Sequence, residues 1–173
     1  LWSTYIGGTG NDFGNTLMEL GRHAEALRFF DLALMLQPAW PEALNNRGRA
    51  LASLHRHDEA LESLDHAVRL QPEFVEARNN RGSVLLELRR HDEALNDLDR
   101  ALAIRPALPE AHSNRSMALF RLNRYEDALG SADRALALHP NFPEALNNRG
   151  LALGELSRLD EAESSYRHAL ALL

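Results

Sequence analysis

The sequence predicts an all-α protein folded as an α-solenoid, a stack of five antiparallel helix pairs. Three observations carry this prediction. One pattern recurs every 34 residues without an insertion, each period holds two stretches with apolar residues at helical spacing, and a proline ends most of the periods. A fixed period of this kind is typical of stacked two-helix units, none of which can bury its apolar face alone.

The period divides the chain into five copies and a short leading segment. We expect one domain over residues 7–173, and we expect residues 1–6 to be a poorly ordered end or a partial cap. Positions below are counted from the first residue of each copy. The copies are residues 7–40, 41–74, 75–108, 109–142 and 143–173.

Within the second copy, apolar spacing predicts a first helix from Pro41 to Leu54, a turn at residues 55–57, and a second helix that Pro72 stops. The first copy begins differently, with glycines in residues 7–10. Because glycine disfavours helix, its first helix is predicted to start only near Asn11 or Asp12.

Small residues recur where the two helices of a pair must touch. Alanine occupies positions 20 and 27 of every copy. Because its side chain is small, the axes of the two helices can approach closely. Position 8 is also small in all five copies: Gly14, Gly48, Gly82, Ser116 and Gly150.

The period, these small positions and the proline at position 32 resemble tetratricopeptide-repeat proteins over residues 7–173. The resemblance implies a right-handed superhelix in which the first helices line a concave groove and the second helices form the convex side. The sequence segment EALNNRG is similar to the equivalent segment of bacterial family members, so we expect a bacterial, cytoplasmic protein.

Position 7 departs from this family, which usually has leucine there. Four copies have arginine instead, and four have aspartate at position 25. The offset between the two sets predicts a ladder of ion pairs between adjacent repeats, which would fix register and stability. Pairing inside a repeat and separately solvated charges remain alternatives. The predicted pairs are Asp31–Arg47, Asp65–Arg81, Asp99–Arg115 and Asp133–Arg149.

A row of amides is the main candidate for ligand binding. In the repeat domain of O-linked N-acetylglucosamine transferases, which the chain resembles at position 6, such asparagines hold a peptide backbone. The chemistry suits this role, because one amide both donates and accepts hydrogen bonds. The alternative is that these asparagines are simply solvated. The row consists of Asn46, Asn80, Asn114 and Asn148.

Neighbouring positions that the resemblance places in the groove would tune selectivity. Met117 and Phe120 form either an apolar spot for a partner or part of the core. Without any lysine, the chain is not expected to clamp a carboxyl terminus as some family members do. The neighbouring candidates are Asn45, Asn79, Asn147, Arg49, Met117, Phe120 and Arg121.

Composition excludes several function classes. The net charge of −6 argues against nucleic acid as the partner, and no apolar run approaches the ~18 residues of a membrane span. His23, His57 and His91 recur at a packing position, too far apart to share a metal. A row of arginines at the turns either attracts an acidic partner or forms a solvated edge.

We therefore expect a protein without catalysis, metal or cofactor that binds a protein or peptide segment in the groove. One alternative is the substrate-presenting repeat domain of a larger enzyme, such as a glycosyltransferase. Another is self-assembly through the repeat ends, since apolar surface remains in the last copy, although Glu163 replaces a leucine there as a modest cap.

Overall fold

A computed structural model describes residues 2–172, and the side chains from residue 9 to residue 172. No helix in this part of the chain is both long and apolar enough to cross a membrane. All regular structure in residues 2–172 is helical, which confirms the predicted all-α class. The helices are α1 (Trp2–Glu19), α2 (His23–Leu36), α3 (Pro41–Ser53), α4 (His57–Leu70), α5 (Val75–Glu87), α6 (His91–Ile104), α7 (Pro109–Arg121), α8 (Tyr125–Leu138), α9 (Pro143–Glu155) and α10 (Leu159–Ala171).

The prediction of a late start for the first helix was wrong. Helix α1 begins at Trp2 and runs through the glycines of residues 7–10. Packing explains this, because α1 lies along α2 and most helical stability in proteins comes from tertiary contacts rather than propensity. The role predicted for residues 1–6 as a cap concerns side chains outside the described part.

Close contacts divide the chain into two compact units. Unit 1 ends at Leu88 and contains α1 to α5, whereas unit 2 begins at Arg89 and contains α6 to α10. Within each unit, α1 and α2, α3 and α4, α7 and α8, and α9 and α10 pack as pairs, and first helices of neighbouring repeats also touch. The expectation of one domain over residues 7–173 stays a prediction.

The turn inside each repeat contains one residue in the left-handed conformation, just after the end of the first helix. In the second repeat, the His55 N–H donates to Ala52 O and the Arg56 N–H to Leu51 O, both at 2.9 Å. His55 has a φ of 57°, which is the left-handed conformation that this pair of hydrogen bonds requires. The turn is one residue earlier than predicted, because His57 already belongs to α4.

A matched pair of positions sets how closely the two helices of a repeat approach. A Cβ added to Gly48 would lie 2.6 Å from Leu64 Cγ, so only glycine fits beneath that buried leucine. In the fourth repeat the sizes are exchanged: Ser116 lies at position 8, and Ala132 is the residue at position 24. Both are fully buried, and Ser116 Oγ donates to Ala128 O at 2.7 Å.

Candidate binding surface

One side of each first helix remains exposed after the helices have packed. Positions 2, 6, 9 and 13 share this side because they follow helical spacing, although position 6 is itself buried in Asn46 and Asn148. In α3 the side chains of Glu42, Arg49 and Ser53 are exposed, whereas Ala43 and Leu51 on the opposite side are fully buried. In each unit we call positions 2, 5, 6, 9, 12 and 13 of its first helices the first-helix face; these helices are α1, α3 and α5 in unit 1 and α7 and α9 in unit 2.

The predicted ladder positions come together between adjacent repeats. In unit 1, Arg47 Nε lies 2.7 Å from Asp31 Oδ1. Arg81 Nε and Asp65 Oδ1 are 2.5 Å apart, an ion contact without an aligned hydrogen bond.

Unit 2 has the same geometry between its own adjacent repeats. Arg115 Nε lies 2.6 Å from Asp99 Oδ1, and Arg149 Nε lies 2.7 Å from Asp133 Oδ1. The arginine side chains of all four ladder pairs are 23–29% exposed, so the pairs are partly screened by water.

Sequence analysis missed the serines that complete this network. Arg47 Nη1 donates to Ser63 Oγ at 2.5 Å, and Ser63 Oγ donates onward to Glu59 O. Arg115 and Arg149 bond Ser131 and Ser165 in the same way, at 2.7 and 2.6 Å. The signal was present, because serine recurs at position 23, which is 16 residues after each of these arginines.

The position 6 amides bond the preceding repeat. Asn46 Nδ2 donates to Asn11 Oδ1 at 3.1 Å, and Asn80 Nδ2 donates to Asn45 Oδ1 at 2.8 Å. In unit 2, Asn148 Nδ2 donates to Ser113 Oγ at 3.1 Å and to its carbonyl oxygen at 3.0 Å. These amides therefore help to join repeats.

Burial limits what the amides can offer to a ligand. Asn45, Asn46 and Asn148 are at most 9% exposed. Asn80 is half-buried, as are Asn79 and Asn114, whereas Asn147 is exposed. Of the candidate amides, those that remain at least partly accessible on the first-helix face are thus Asn79 and Asn80 of α5, Asn114 of α7 and Asn147 of α9.

The other candidates lie on the first-helix face with differing exposure. Arg49 and Arg121 are exposed, whereas Met117 and Phe120 are half-buried. The Phe120 ring centroid lies 5.6 Å from that of Tyr125 in the same repeat, so Phe120 takes part in packing within its repeat.

The turn arginines are paired with carboxylates. Arg56 donates from Nε and Nη2 to the two carboxylate oxygens of Glu59, at 2.7 and 2.6 Å. Arg22 and Glu25 form the same exposed pair, whose hydrogen bond raises the pKa of Arg22 and lowers the pKa of Glu25. Their charge is therefore compensated locally and does not make a strongly basic stripe.

Position 4 carries two further hydrogen bonds that the sequence did not indicate. The buried Arg78 donates from Nε to Pro72 O at 2.7 Å, and His112 Nε2 lies 2.9 Å from Pro106 O. Burial lowers the pKa of His112. Both side chains hold the linker that leads from one repeat to the next.

The described residues contain no candidate metal site and a small open cleft in unit 2. No group of three or more His, Cys, Asp or Glu side chains among them is placed to hold a metal ion. An open cleft of about 230 Å³ lies in unit 2, lined by Leu136, Pro140, Leu146, Arg149, Ser164, Ser165 and His168.

Helix α10 exposes an apolar stripe. Leu159 and Leu170 are 67% and 72% exposed, and Tyr166 between them is 38% exposed. At the leucine position of the other repeats, Glu163 forms an ion pair with Arg167 at 2.7 Å.

The chain matches a family model described as tetratricopeptide repeat over three stretches, residues 11–72, 45–109 and 114–172. No curated protein matches it.

Several solved structures share the fold. The chain is 27% identical to TTC0263, a thermophilic protein of this kind from Thermus thermophilus, with a TM-score of 0.82 over 96% of this chain and 91% of that chain. MamA from Desulfovibrio magneticus RS-1 is 22% identical, with a TM-score of 0.81 over 96% and 94% of the two chains. YrrB, described as having an unusual peptide-binding site, is 23% identical, with a TM-score of 0.72 over 94% and 84%.

Proposed function

Because the chain belongs to the tetratricopeptide repeat family, we propose that it is a non-catalytic scaffold that holds a peptide segment of another protein on its first-helix face. A cytoplasmic setting in a bacterium is part of the proposal and rests on the resemblance of the EALNNRG segments to bacterial members. The peptide-binding site described for YrrB supports the class of ligand.

The observation that carries this proposal is the surface left open on α5. Asn80 uses one N–H on Asn45 Oδ1, which leaves its second N–H and its carbonyl oxygen for a ligand. Asn80 is half-buried, so the bond to Asn45 fixes its orientation while part of the amide still faces solvent. A preoriented amide binds a peptide unit with less loss of side-chain entropy.

The repeat spacing suits an extended ligand. Neighbouring helices pack about 8–10 Å apart. An extended chain advances about 3.3 Å per residue, so every third residue of a bound strand would meet an equivalent position of the next repeat. Each amide bond contributes about 0.5–1.5 kcal/mol, so binding through them is weak and tolerant of sequence.

The absence of cysteine allows a direct test. Single cysteines introduced as Ser53→Cys on the first-helix face and Ala24→Cys on the exposed side of α2 would each carry a photo-crosslinker. A randomised twelve-residue peptide library is then presented to the full chain. We expect captured peptides to crosslink from position 53 and not from position 24. Equal crosslinking at both sites, or no captured peptide, would reject the proposal.

The stripe on α10 favours a second candidate, self-association. Leu159, Tyr166 and Leu170 are exposed on one side of the helix, and apolar patches of this kind mark interaction sites. Light scattering over a range of protein concentrations, with Leu170→Glu as the comparison, tests it. A chain that stays monomeric at high concentration rules it out.

A further inference from the structure

The net charge of the chain resides on the first-helix face. Of the 25 acidic and 19 basic residues, the face carries eight carboxylates and two arginines. The remaining 17 acidic and 17 basic residues cancel, so the formal charge of −6 equals the excess on the face. This coincidence is not forced by composition, because the face is a minority of the residues.

The same division holds in unit 1 by itself. Its face carries Asp12, Glu19, Glu42, Glu76 and Glu87 against one arginine, Arg49, an excess of four negative charges. The rest of unit 1 has seven acidic and seven basic residues, which cancel.

Unit 2 repeats the division with a smaller excess. Its face carries Glu110, Glu144 and Glu155 against Arg121, and the rest of the unit has ten acidic and ten basic residues. Both units thus place their surplus charge at equivalent positions of their first helices.

Pairing within the chain explains why the rest is neutral. The ladder and turn arginines are bonded to carboxylates outside the face, as in Arg47 with Asp31 and Arg56 with Glu59. In contrast, the exposed carboxylates of Glu42, Glu87 and Glu110 form no ion pair within the described residues. These three carboxylates therefore offer charge that the fold itself does not use.

We propose that the occupant of this face is a basic peptide segment, with arginine or lysine at intervals that match the repeats. The inference rests on the proposed function and adds the chemistry of the ligand. Within each unit, position 2 is glutamate in neighbouring repeats, Glu42 and Glu76 in unit 1 and Glu110 and Glu144 in unit 2, so cationic side chains three residues apart in an extended strand meet successive carboxylates. Such a surface also steers a basic ligand towards itself at low ionic strength.

Three nine-residue peptides test the proposal on the full chain. They have the pattern (Arg-Ser-Ala)₃, (Gln-Ser-Ala)₃ and (Glu-Ser-Ala)₃ and carry a fluorophore for anisotropy. We expect the arginine peptide to bind at least tenfold more tightly than the glutamine peptide in 50 mM NaCl. In 500 mM NaCl most of this advantage is lost, because salt screens exposed charges.

Paired variants locate the effect. Glu42→Gln with Glu87→Gln removes two charges from the face, and we expect binding of the arginine peptide to weaken about three- to tenfold, since exposed pairs contribute modestly. The control is Glu62→Gln with Glu73→Gln, which removes two exposed charges elsewhere in unit 1. The control is expected to change binding less than twofold, and circular dichroism verifies that both variants fold.

The outcomes separate this inference from the proposed function. If the glutamine or glutamate peptide binds as well as the arginine peptide, or if both double variants weaken binding equally, the charge assignment is wrong. The proposed function then stands if the randomised library is still captured at position 53. If that library is not captured and the arginine peptide does not bind, both the proposed function and the assignment of a basic ligand are rejected.

Discussion

The two units follow the same packing rules but present different first-helix faces. At position 9 the face of unit 1 is polar, with Asn15, Arg49 and Ser83, and Asn80 is bonded to Asn45 across a repeat boundary at 2.8 Å. In unit 2, Ser113 takes the place of an amide, and the half-buried Met117 and Leu151 make the face more apolar. Meanwhile the ladder pairs have nearly the same distances in both units.

The contrast between the variable face and the constant ladder shows which positions the fold constrains. A ladder or core position touches two helices, so its side chain is limited by neighbours in its own and the adjacent repeat. An exposed position on the first-helix face has no such neighbour and is free to differ. We therefore expect ligand selectivity to reside in the face and stability in the positions that both units share.

The largest expected effect tests the exchange of sizes between the second repeat, in unit 1, and the fourth repeat, in unit 2. Leu64 in unit 1 is fully buried over Gly48, so Leu64→Ala leaves a cavity and should lower the free energy of unfolding by about 2–5 kcal/mol. Urea denaturation followed by circular dichroism measures the loss.

The matched rescue copies the fourth repeat, which has Ser116 with Ala132. Adding Gly48→Ser to Leu64→Ala should recover part of the loss, because the serine fills space and can donate to Ala60 O as Ser116 does to Ala128 O. A double variant no more stable than Leu64→Ala alone would contradict this account.

A smaller effect distinguishes two glycines at the same position. Replacing glycine by alanine gains up to about 1 kcal/mol in helix propensity. At Gly48 the new Cβ would lie 2.6 Å from the buried Leu64 Cγ, and overpacking costs about 1–3 kcal/mol, so we expect Gly48→Ala to destabilise. At Gly150 the neighbour is Tyr166, which is 38% exposed and can move.

Gly150→Ala should therefore change stability by less than about 0.5 kcal/mol, in the range of ordinary surface substitutions. Thermal unfolding of the two variants side by side provides the measurement. Equal destabilisation at both glycines would show that exposure of the neighbour does not matter.

The ladder is expected to contribute less. A double-mutant cycle with Asp65→Ala and Arg81→Ala in unit 1 should give a coupling of about 1 kcal/mol. The same cycle with Asp133→Ala and Arg149→Ala in unit 2 should give about half as much, because Asp133 is 52% exposed and Asp65 only 33%. Both couplings should shrink in 1 M NaCl, and couplings of zero would remove the ladder from the account of stability.

The smallest effect is a pH dependence in unit 2. Burial lowers the pKa of His112 in the folded state, so on acidification the unfolded chain takes up this proton first. The contribution of His112 to stability is thus fully present above the ordinary pKa of about 6.5 and is lost as the pH falls through the folded pKa.

His112→Leu copies Leu44 and Leu146 at the same position of other repeats. The variant should lose less stability than the parent chain between pH 7 and pH 5, as measured by urea denaturation at each pH. Parallel pH profiles for the two proteins would exclude His112 as the source.

Sequence analysis anticipated the helix pairs closely, since period and apolar spacing report the packing directly. It failed at the start of α1, where local glycine content opposed a helix that contact with α2 supports. It also missed Ser63 in the arginine network and His112 on the linker, because their partners are a guanidinium of another helix and a backbone carbonyl. The serine did recur at position 23, whereas a backbone carbonyl is present in every residue and gives no signal in the sequence.

The all-α class and the succession of helix pairs followed from the sequence by itself, because both depend on spacing and residue type along one chain. Only the tertiary structure decided which amides are spent on joining repeats and which still face solvent. Asn46 and Asn80 occupy the same position of the repeat, yet one is buried and the other half-exposed. The reason is physical: exposure depends on the side chains that adjacent helices bring alongside, and these differ from one repeat to the next.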